Sequence, residues 1–208
     1  MKLIRCLIFD LGGVITLPQK MEKVDEMIEA IGLRLPRASF QSAYFAQRAA
    51  YDRGDISVEE YWRRVGRDLG AEPDGAAVDR LKKADIQSWF NINEGVVELL
   101  REARRKVGKL VLLSNLPVEG AKHLRSSYDW LGLFDELVLS CELRRIKPES
   151  EIYELCLERS GARAGDSLFV DDSPANTDAA RALGMSAISF EGLEELKTGL
   201  AGGYELAK

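Results

Sequence analysis

The stretch CLIFDLGGVI, residues 6–15, places an acidic side chain directly after a buried strand. The apolar run at residues 6–9 has the composition of a strand that is covered on both faces. Asp10 follows this run, and Gly12 and Gly13 come next in a glycine-rich turn. The pattern therefore predicts a carboxylate at the mouth of a turn, where it would serve as a nucleophile or a metal ligand.

Further apolar runs of the same kind repeat along the chain. Runs rich in Leu, Ile, Val or Phe occupy residues 3–10, 109–115, 136–141, 167–172 and 185–190. Helical patterns lie between them at residues 94–107, 149–161 and 173–184, the last two closing at a glycine. Unbroken apolar strands that alternate with helices predict an α/β fold with a Rossmann-like, doubly wound parallel sheet.

Residues 17–88 interrupt this alternation. They contain no convincing strand, and SVEEYWRRVGRDLG (57–70) begins with the capping-box pair Ser57 and Glu60 and closes on Gly70. We therefore expect an all-helical cap at 17–88, inserted into an α/β core formed by 1–16 and 89–208. The last ten residues, GLAGGYELAK, are expected to be a frayed end after a final helix.

Composition narrows the functional classes. The chain has 208 residues, with 46% hydrophobic and 30% charged, which is ordinary for a soluble globular protein. A net charge of −5 argues against a general nucleic-acid surface. No apolar run is long enough for a membrane span, and three widely spaced cysteines suggest a reducing compartment. We expect a cytoplasmic monomer or small homo-oligomer with no nucleic-acid or membrane partner.

Polar side chains collect at the predicted strand ends. Ligands of open parallel sheets bind outside the carboxyl ends of the strands. The side chains that should meet there are Asp10, Ser114, Asn115, Lys147, Asp171 and Asp172. Clustered carboxylates repel one another unless a hard cation lies among them, and oxygen ligands suit Mg²⁺.

Phosphoryl transfer is the chemistry that this set fits. Asp10 could attack phosphorus as a carboxylate and form an aspartyl-phosphate. Ser114 and the backbone N–H groups of the Gly12–Gly13 turn could hold phosphate oxygens. Lys147 would supply positive charge to the transferring group and to Asp10.

Four segments resemble the motifs of the haloacid dehalogenase-like hydrolases. They are FDLGGV, LLSN, IKPES and FVDDSPAN, in the order of that family, within a match from about residue 3 to 190. The resemblance implies Asp10 as nucleophile, Ser114 (with Asn115) as phosphate binder and Lys147 as the charge-stabilising lysine. It also implies metal binding by Asp10, the backbone carbonyl of Gly12 and the Asp171–Asp172 pair. The cap resembles the family more loosely, through RGDISVEEYW (53–62).

Gly12 departs from the family pattern. Most phosphatases of this family carry a second Asp there, which protonates the leaving oxygen and later activates water. Such acid–base help is worth about 10²–10⁴-fold in rate. One hypothesis is a Mg²⁺-dependent phosphatase for a small phosphorylated metabolite, with the missing acid replaced by water, a cap residue or the substrate. Slow turnover that favours acyl or aryl phosphates is then expected.

Two other hypotheses stay open. Family members that cleave carbon–halogen or carbon–phosphorus bonds also lack the second acid. Dehalogenases need no metal, which the Asp171–Asp172 pair argues against. The phosphonate-cleaving branch needs a cap lysine, and the cap lysines Lys20, Lys23, Lys82 and Lys83 all lie near the ends of the cap. The third hypothesis is a binding protein that has kept the fold and lost turnover.

Other prominent side chains are assigned lesser roles. His123, the only histidine, is interpreted as a surface or capping residue. The three tryptophans, Trp62, Trp89 and Trp130, are interpreted as packing residues. Tyr51 and Arg53 could face the site from the cap, and Asn176 could orient the carboxylates of FVDDSPAN.

Overall fold

The computed structural model describes all residues from Met1 to Lys208. The strands are β1 (Lys2–Ile4), β2 (Cys6–Phe9), β3 (Lys109–Ser114), β4 (Glu136–Leu139), β5 (Ser167–Asp171), β6 (Ser186–Ser189) and β7 (Tyr204–Leu206). The helices are α1 (Met21–Ile31), α2 (Arg37–Ala46), α3 (Arg48–Asp52), α4 (Val58–Asp68), α5 (Gly75–Trp89), α6 (Glu94–Arg104), α7 (Val118–Ser127), α8 (Ser140–Leu143), α9 (Ser150–Ser160), α10 (Pro174–Ala182) and α11 (Leu193–Gly203).

Five strands form one parallel sheet in the order β4-β3-β2-β5-β6. The chain runs outward from the central strand β2 through β3 to β4, and then returns to the other side of β2 for β5 and β6. This reversal creates a crevice beyond the carboxyl end of β2, the usual ligand position in such sheets. Phe9 pairs with both Leu112 and Val170, so Asp10 emerges at the centre of that edge. The predicted α/β, Rossmann-like fold is confirmed.

Side chains of β2 alternate between the two faces of the sheet. Leu7 and Phe9 enter a buried apolar cluster with residues of α6 and α11, whereas Ile8 enters a second cluster with residues of α9 and α10. All three side chains are fully buried. Burial on both faces explains why this strand is an uninterrupted apolar run.

Helices α1 to α5 form a separate layer with an apolar cluster of 15 buried residues, among them Tyr44, Tyr61 and Trp62. Ser57 caps α4 by accepting a hydrogen bond from the Glu60 N–H at 3.3 Å. The Glu60 carboxylate instead pairs with two arginines of its own helix, so only half of the expected capping box forms. The entry and exit of this layer lie side by side, because Thr16 and Ile92 form an antiparallel bridge.

The two ends of the chain differ from the sequence prediction. The expected strand at 3–10 is divided at Arg5, whose N–H bonds to the carbonyl of Asp166. The tail is not frayed: α11 continues into β7, which pairs in parallel with β1 in a two-stranded sheet. Tyr204 and Leu206 pack against the buried cluster beneath α6 and α11. The prediction of a frayed end was wrong because these alternating apolar residues find a strand edge to pair with.

No helix in the structure combines the length and the apolar character that crossing a bilayer would require.

Candidate active site

Three carboxylates meet at the carboxyl edge of the sheet. Asp10 follows β2, while Asp171 ends β5 and Asp172 comes after it. Each of the three offers an oxygen that lies within 4.8 Å of the others. Asp10 and Asp171 are buried, whereas Asp172 is exposed. The sequence prediction that these distant residues converge therefore agrees with the geometry.

Lys147 joins two of these carboxylates. Its Nζ lies 2.7 Å from Asp10 Oδ1 and 2.6 Å from Asp171 Oδ2. Burial alone would lower the pKa of Lys147, but attraction from Asp10 and Asp171 outweighs it and raises the pKa. Burial raises the pKa of Asp10, an effect that Lys147 opposes and Asp171 reinforces. Lys147 pairs with two of the three carboxylates in the cluster, so the cluster has an excess of negative charge.

Asn115 holds the backbone of Lys147. Its Nδ2 donates to the Lys147 carbonyl at 3.0 Å, and its Oδ1 accepts from the Lys147 N–H at 2.8 Å. Both the oxygen and the nitrogen of the Asn115 amide therefore help to position Lys147. The predicted contact of Asn115 with phosphate stays a prediction. Ser114, the buried last residue of β3, lines the cavity beside Asp10.

Asp171 is saturated by donors of the chain. Besides Lys147, it accepts the Ser173 N–H at 2.8 Å, and the Asn176 amide at 2.9 and 3.1 Å. Asn176 thus orients this carboxylate as the sequence suggested. A carboxylate has about four lone-pair positions, so Asp171 has little capacity left. Asp172 is the more open oxygen donor of the pair.

The two glycines after Asp10 are not equivalent. Gly13 has φ +74°, and a Cβ there would lie 2.2 Å from Asp172 Oδ2. Gly12 has φ −69° and ψ 127°, which any residue can adopt, and nothing lies within 4 Å of a Cβ placed on it. Only position 13 requires glycine, whereas a Cβ at position 12 would meet no neighbouring group.

A cavity of about 530 Å³ lies over these groups. From the sheet it is lined by Asp10, Ser114 and Lys147 among others, and from the helical layer by residues that include Asp52 and Trp89. Trp89, interpreted as a packing residue, therefore also faces this space. None of the four lysines considered for a Schiff base lines the cavity.

Sequence reasoning missed a charged network in the helical wall of the cavity. Arg48 pairs with Asp52 at 2.8 Å and with Asp85 at 3.1 Å. Tyr44 donates its hydroxyl to Asp85 at 2.5 Å and accepts from Trp89 Nε1 at 2.8 Å. The i,i+4 spacing of Arg48 and Asp52 was the available signal. No sequence pattern indicated the pairing of Arg48 with Asp85, which lies 37 residues further along the chain.

Residues 51–54 tie the helical layer to the core, and we call them the rim segment. Tyr51 donates its hydroxyl to Glu119 at 2.9 Å. Ser140 donates its hydroxyl to the Asp52 carbonyl at 2.5 Å. Arg53 forms an ion pair with Glu149. Gly54 packs on Cys141, whose carbonyl would lie 3.0 Å from a Cβ there.

Of the remaining candidates, one lines the cavity and the others lie outside it. Tyr51 lines the cavity as the sequence suggested, whereas Arg53 does not. His123 packs edge-on against Phe90 and is not part of the cavity wall. Trp62 and Trp130 are buried.

Comparison with known proteins identifies the family. The model of the haloacid dehalogenase-like hydrolases matches residues 4–184. The chain therefore belongs to this family of hydrolases, and the resemblance seen in the four motifs is confirmed.

Relatives and solved structures extend this finding. The chain is 25% identical to a sesquiterpene phosphatase of Aspergillus oryzae over 186 residues, covering 86% of this chain and 85% of the relative. It is 25% identical over 202 residues to mouse bifunctional epoxide hydrolase 2, of which it spans 36%, with 89% of this chain covered. A haloacid dehalogenase family enzyme of Bacteroides thetaiotaomicron, solved as a magnesium complex, has TM-score 0.75 and 25% identity, covering 91% of this chain and 94% of its own.

Proposed function

We propose that this hydrolase is a Mg²⁺-dependent phosphatase for small phosphorylated metabolites, with Asp10 as the nucleophile. The observation that carries the proposal is the cluster of Asp10, Asp171 and Asp172 with Lys147 beneath one cavity. The sesquiterpene phosphatase and the magnesium complex among the similar proteins support it.

The residues present fit a magnesium ion. The cluster holds three carboxylates and one ammonium, which pairs with Asp10 and Asp171. Asp172 is the more open of the three, and its oxygens are hard ligands of the type that Mg²⁺ prefers. Asp10, Asp172 and the carbonyl of Gly12 would hold the ion, with Asp171 behind them. When bound, the ion neutralises phosphate charge and allows an anionic nucleophile to approach.

The chain's own groups perform the transfer. A carboxylate oxygen of Asp10 attacks phosphorus, the bond to the leaving oxygen breaks, and an aspartyl-phosphate forms. Water then attacks that phosphorus and releases inorganic phosphate. Lys147 holds Asp10 in place and balances its charge, while Ser114 and the turn after Asp10 bind the phosphoryl oxygens.

The helical layer acts as the cap of this site. Its residues complete the cavity wall, and the rim segment attaches it to the core. Because the cap supplies wall residues that include Phe45, Ile86 and Trp89, it would help to select the alcohol part of the substrate. Closure over substrate also excludes water from the reacting groups.

Phosphate release from a panel of phosphate esters tests the proposal. Wild type should release phosphate with Mg²⁺ and lose this activity with EDTA, and Asp10→Asn should be inactive while still folded. Metal-dependent binding without release would identify a binding protein instead. Activity that persists in Asp10→Asn would rule out the assigned nucleophile.

A further inference from the structure

Position 12 carries no acidic side chain, and the space beside Gly12 is open. The leaving oxygen of an alkyl phosphate nevertheless needs a proton donor. No atom lies within 4 Å of a Cβ built at position 12, so the chain has no hidden group packed there. A proton donor must therefore come from elsewhere in the cavity wall or from water. Three acidic residues line the wall outside the Asp10–Asp171–Asp172 cluster: Asp52, Asp85 and Glu119.

Two of these three are poor donors. Asp85 accepts the Tyr44 hydroxyl at 2.5 Å on Oδ1, and Arg48 donates to both of its carboxylate oxygens, so both oxygens are already engaged. Glu119 accepts the hydroxyl of Tyr51 and is only partly buried. Asp52 is buried, and its carboxyl group accepts one side-chain hydrogen bond, from Arg48 Nε to Oδ1.

Charge balance makes Asp52 the group that takes up a proton. Arg48 is the single cation paired with both Asp52 and Asp85, so one negative charge is left over in a buried network. Asp85 has an additional donor in the Tyr44 hydroxyl, whereas Arg48 is the single side-chain donor to Asp52. Burial raises the pKa of Asp52 to about 6, with Arg48 opposing the rise and Asp85 adding to it.

The core fixes the position of Asp52. Ser140, directly after β4, donates to the Asp52 carbonyl and also receives the Leu116 N–H at 2.8 Å. The residues on either side are bound to the core as well, Tyr51 to Glu119 and Arg53 to Glu149. Asp52 is therefore held against the same sheet edge that carries Ser114, although it belongs to the cap sequence.

We propose that Asp52 is the general acid–base of this site, taking the role that position 12 does not fill. In the first step Asp10 attacks phosphorus, the P–O bond breaks, and Asp52 gives its proton to the departing oxygen, so that an alcohol leaves. In the second step the Asp52 carboxylate takes a proton from the water that attacks the aspartyl-phosphate. Asp10 and protonated Asp52 are thereby regenerated. This inference rests on the proposed phosphatase function.

The leaving-group dependence of Asp52→Asn tests the inference. The amide keeps an acceptor for Arg48 but cannot donate a carboxylic proton. We expect kcat/KM with hexyl phosphate to fall by about 10²–10³-fold, within the usual range of acid–base catalysis. The fall with para-nitrophenyl phosphate should be less than about tenfold, because that leaving group needs no proton. Equal losses on both esters would overturn the inference.

Asp85→Asn is the matched control, because it disturbs the same arginine from the same cavity wall. Its effect on kcat/KM should be the same for the two esters. A selective loss on hexyl phosphate in this variant would assign the proton to Asp85 and overturn the role of Asp52.

A second-site rescue uses the open space at position 12. Gly12→Asp introduced into Asp52→Asn should recover at least about tenfold of the hexyl phosphate activity, since an acid is restored beside the nucleophile. The single variant Asp52→Asn should also show a burst of one para-nitrophenolate per enzyme, because the second step lacks its base. The absence of both effects would count against Asp52.

The pH profile of the wild-type enzyme is a further test of Asp52, and it requires no variant. The charged and titratable groups around Asp52 are Arg48, Asp85, Tyr61, Lys147 and Cys141. The donor must be protonated, so kcat/KM for hexyl phosphate should fall as pH rises through the Asp52 pKa. The para-nitrophenyl ester should lack this alkaline fall. Identical profiles would contradict the assignment, whereas inactivity of wild type on every ester would contradict the phosphatase function itself.

Discussion

Asp172 lies directly over the α-carbon of Gly13, so closely that a Cβ at position 13 would be 2.2 Å from its Oδ2. The neighbouring Gly12 has open space around its α-carbon. The two glycines therefore differ in their effect. The absence of a Cβ at Gly13 allows the Asp172 carboxylate to approach the turn, whereas the space beside Gly12 is open to the cavity.

Gly13→Ala should damage both the fold and the metal site. A left-handed φ costs a residue with a Cβ about 1–2 kcal/mol, and Asp172 must move away as well. We expect lower stability in urea unfolding and a Mg²⁺ affinity reduced by about tenfold or more in calorimetric titration. Gly12→Ala is the control and should change neither quantity by much. Similar results for the two variants would show that the turn is not restricted at position 13.

Lys147→Met should destabilise the protein by leaving buried carboxylates without their cation. Lys147 is 4% exposed, and loss of one partner of a buried ion pair typically costs about 3–5 kcal/mol. Adding Asp171→Asn removes one of the unpaired charges and should restore part of the loss. Urea unfolding of the wild type, both single variants and the double variant measures this coupling. Additive effects would mean that the two residues do not interact.

Asn115→Ala should slow turnover without removing any group that touches the substrate in the proposed mechanism. The variant loses both hydrogen bonds to the Lys147 backbone, so the ammonium is no longer held beside Asp10. We expect kcat to fall by about 10–100-fold, while Mg²⁺ affinity changes little. A rise in KM with unchanged kcat would instead indicate that Asn115 binds phosphate directly, as first predicted from the sequence.

Arg53→Gln should weaken the attachment of the cap. The Arg53–Glu149 pair is partly exposed, so its effect on global stability should be about 1 kcal/mol or less. Its effect on substrate binding should be larger, because the pair spans the cap and the core. We expect KM to rise several-fold with little change in the melting temperature. Arg163→Gln, which breaks an exposed pair with Asp166, is the control and should leave KM unchanged.

The sequence predicted the parallel sheet because its central strands β2, β3 and β5 are buried on both faces and read as apolar runs. It also predicted which residues would meet, since the carboxyl ends of parallel strands share one edge. The tail was mispredicted because pairing with β1 depends on a partner about 200 residues away. The segment FDLGGV predicted a strand, the carboxylate of Asp10 and a glycine-rich turn. It did not predict that Gly12 and Gly13 differ in the space around them, because that difference depends on the position of Asp172.

The helical wall was the least predictable part of the site. Arg48 and Asp52 are ordinary helix residues in sequence, and their role depends on the pairing with Asp85 and on burial under the core. Asp52 in particular is placed by Ser140, a contact that spans 88 positions.

The chain by itself determined the α/β core and the strand ends that carry Asp10, Ser114 and Asp171, because local apolar patterns and strand direction fix these. Only the tertiary structure decided which carboxylates are saturated, which glycine has room for a side chain and which cap acid faces the cavity. These properties arise from burial and from contacts between distant segments, and no local pattern of residues encodes them.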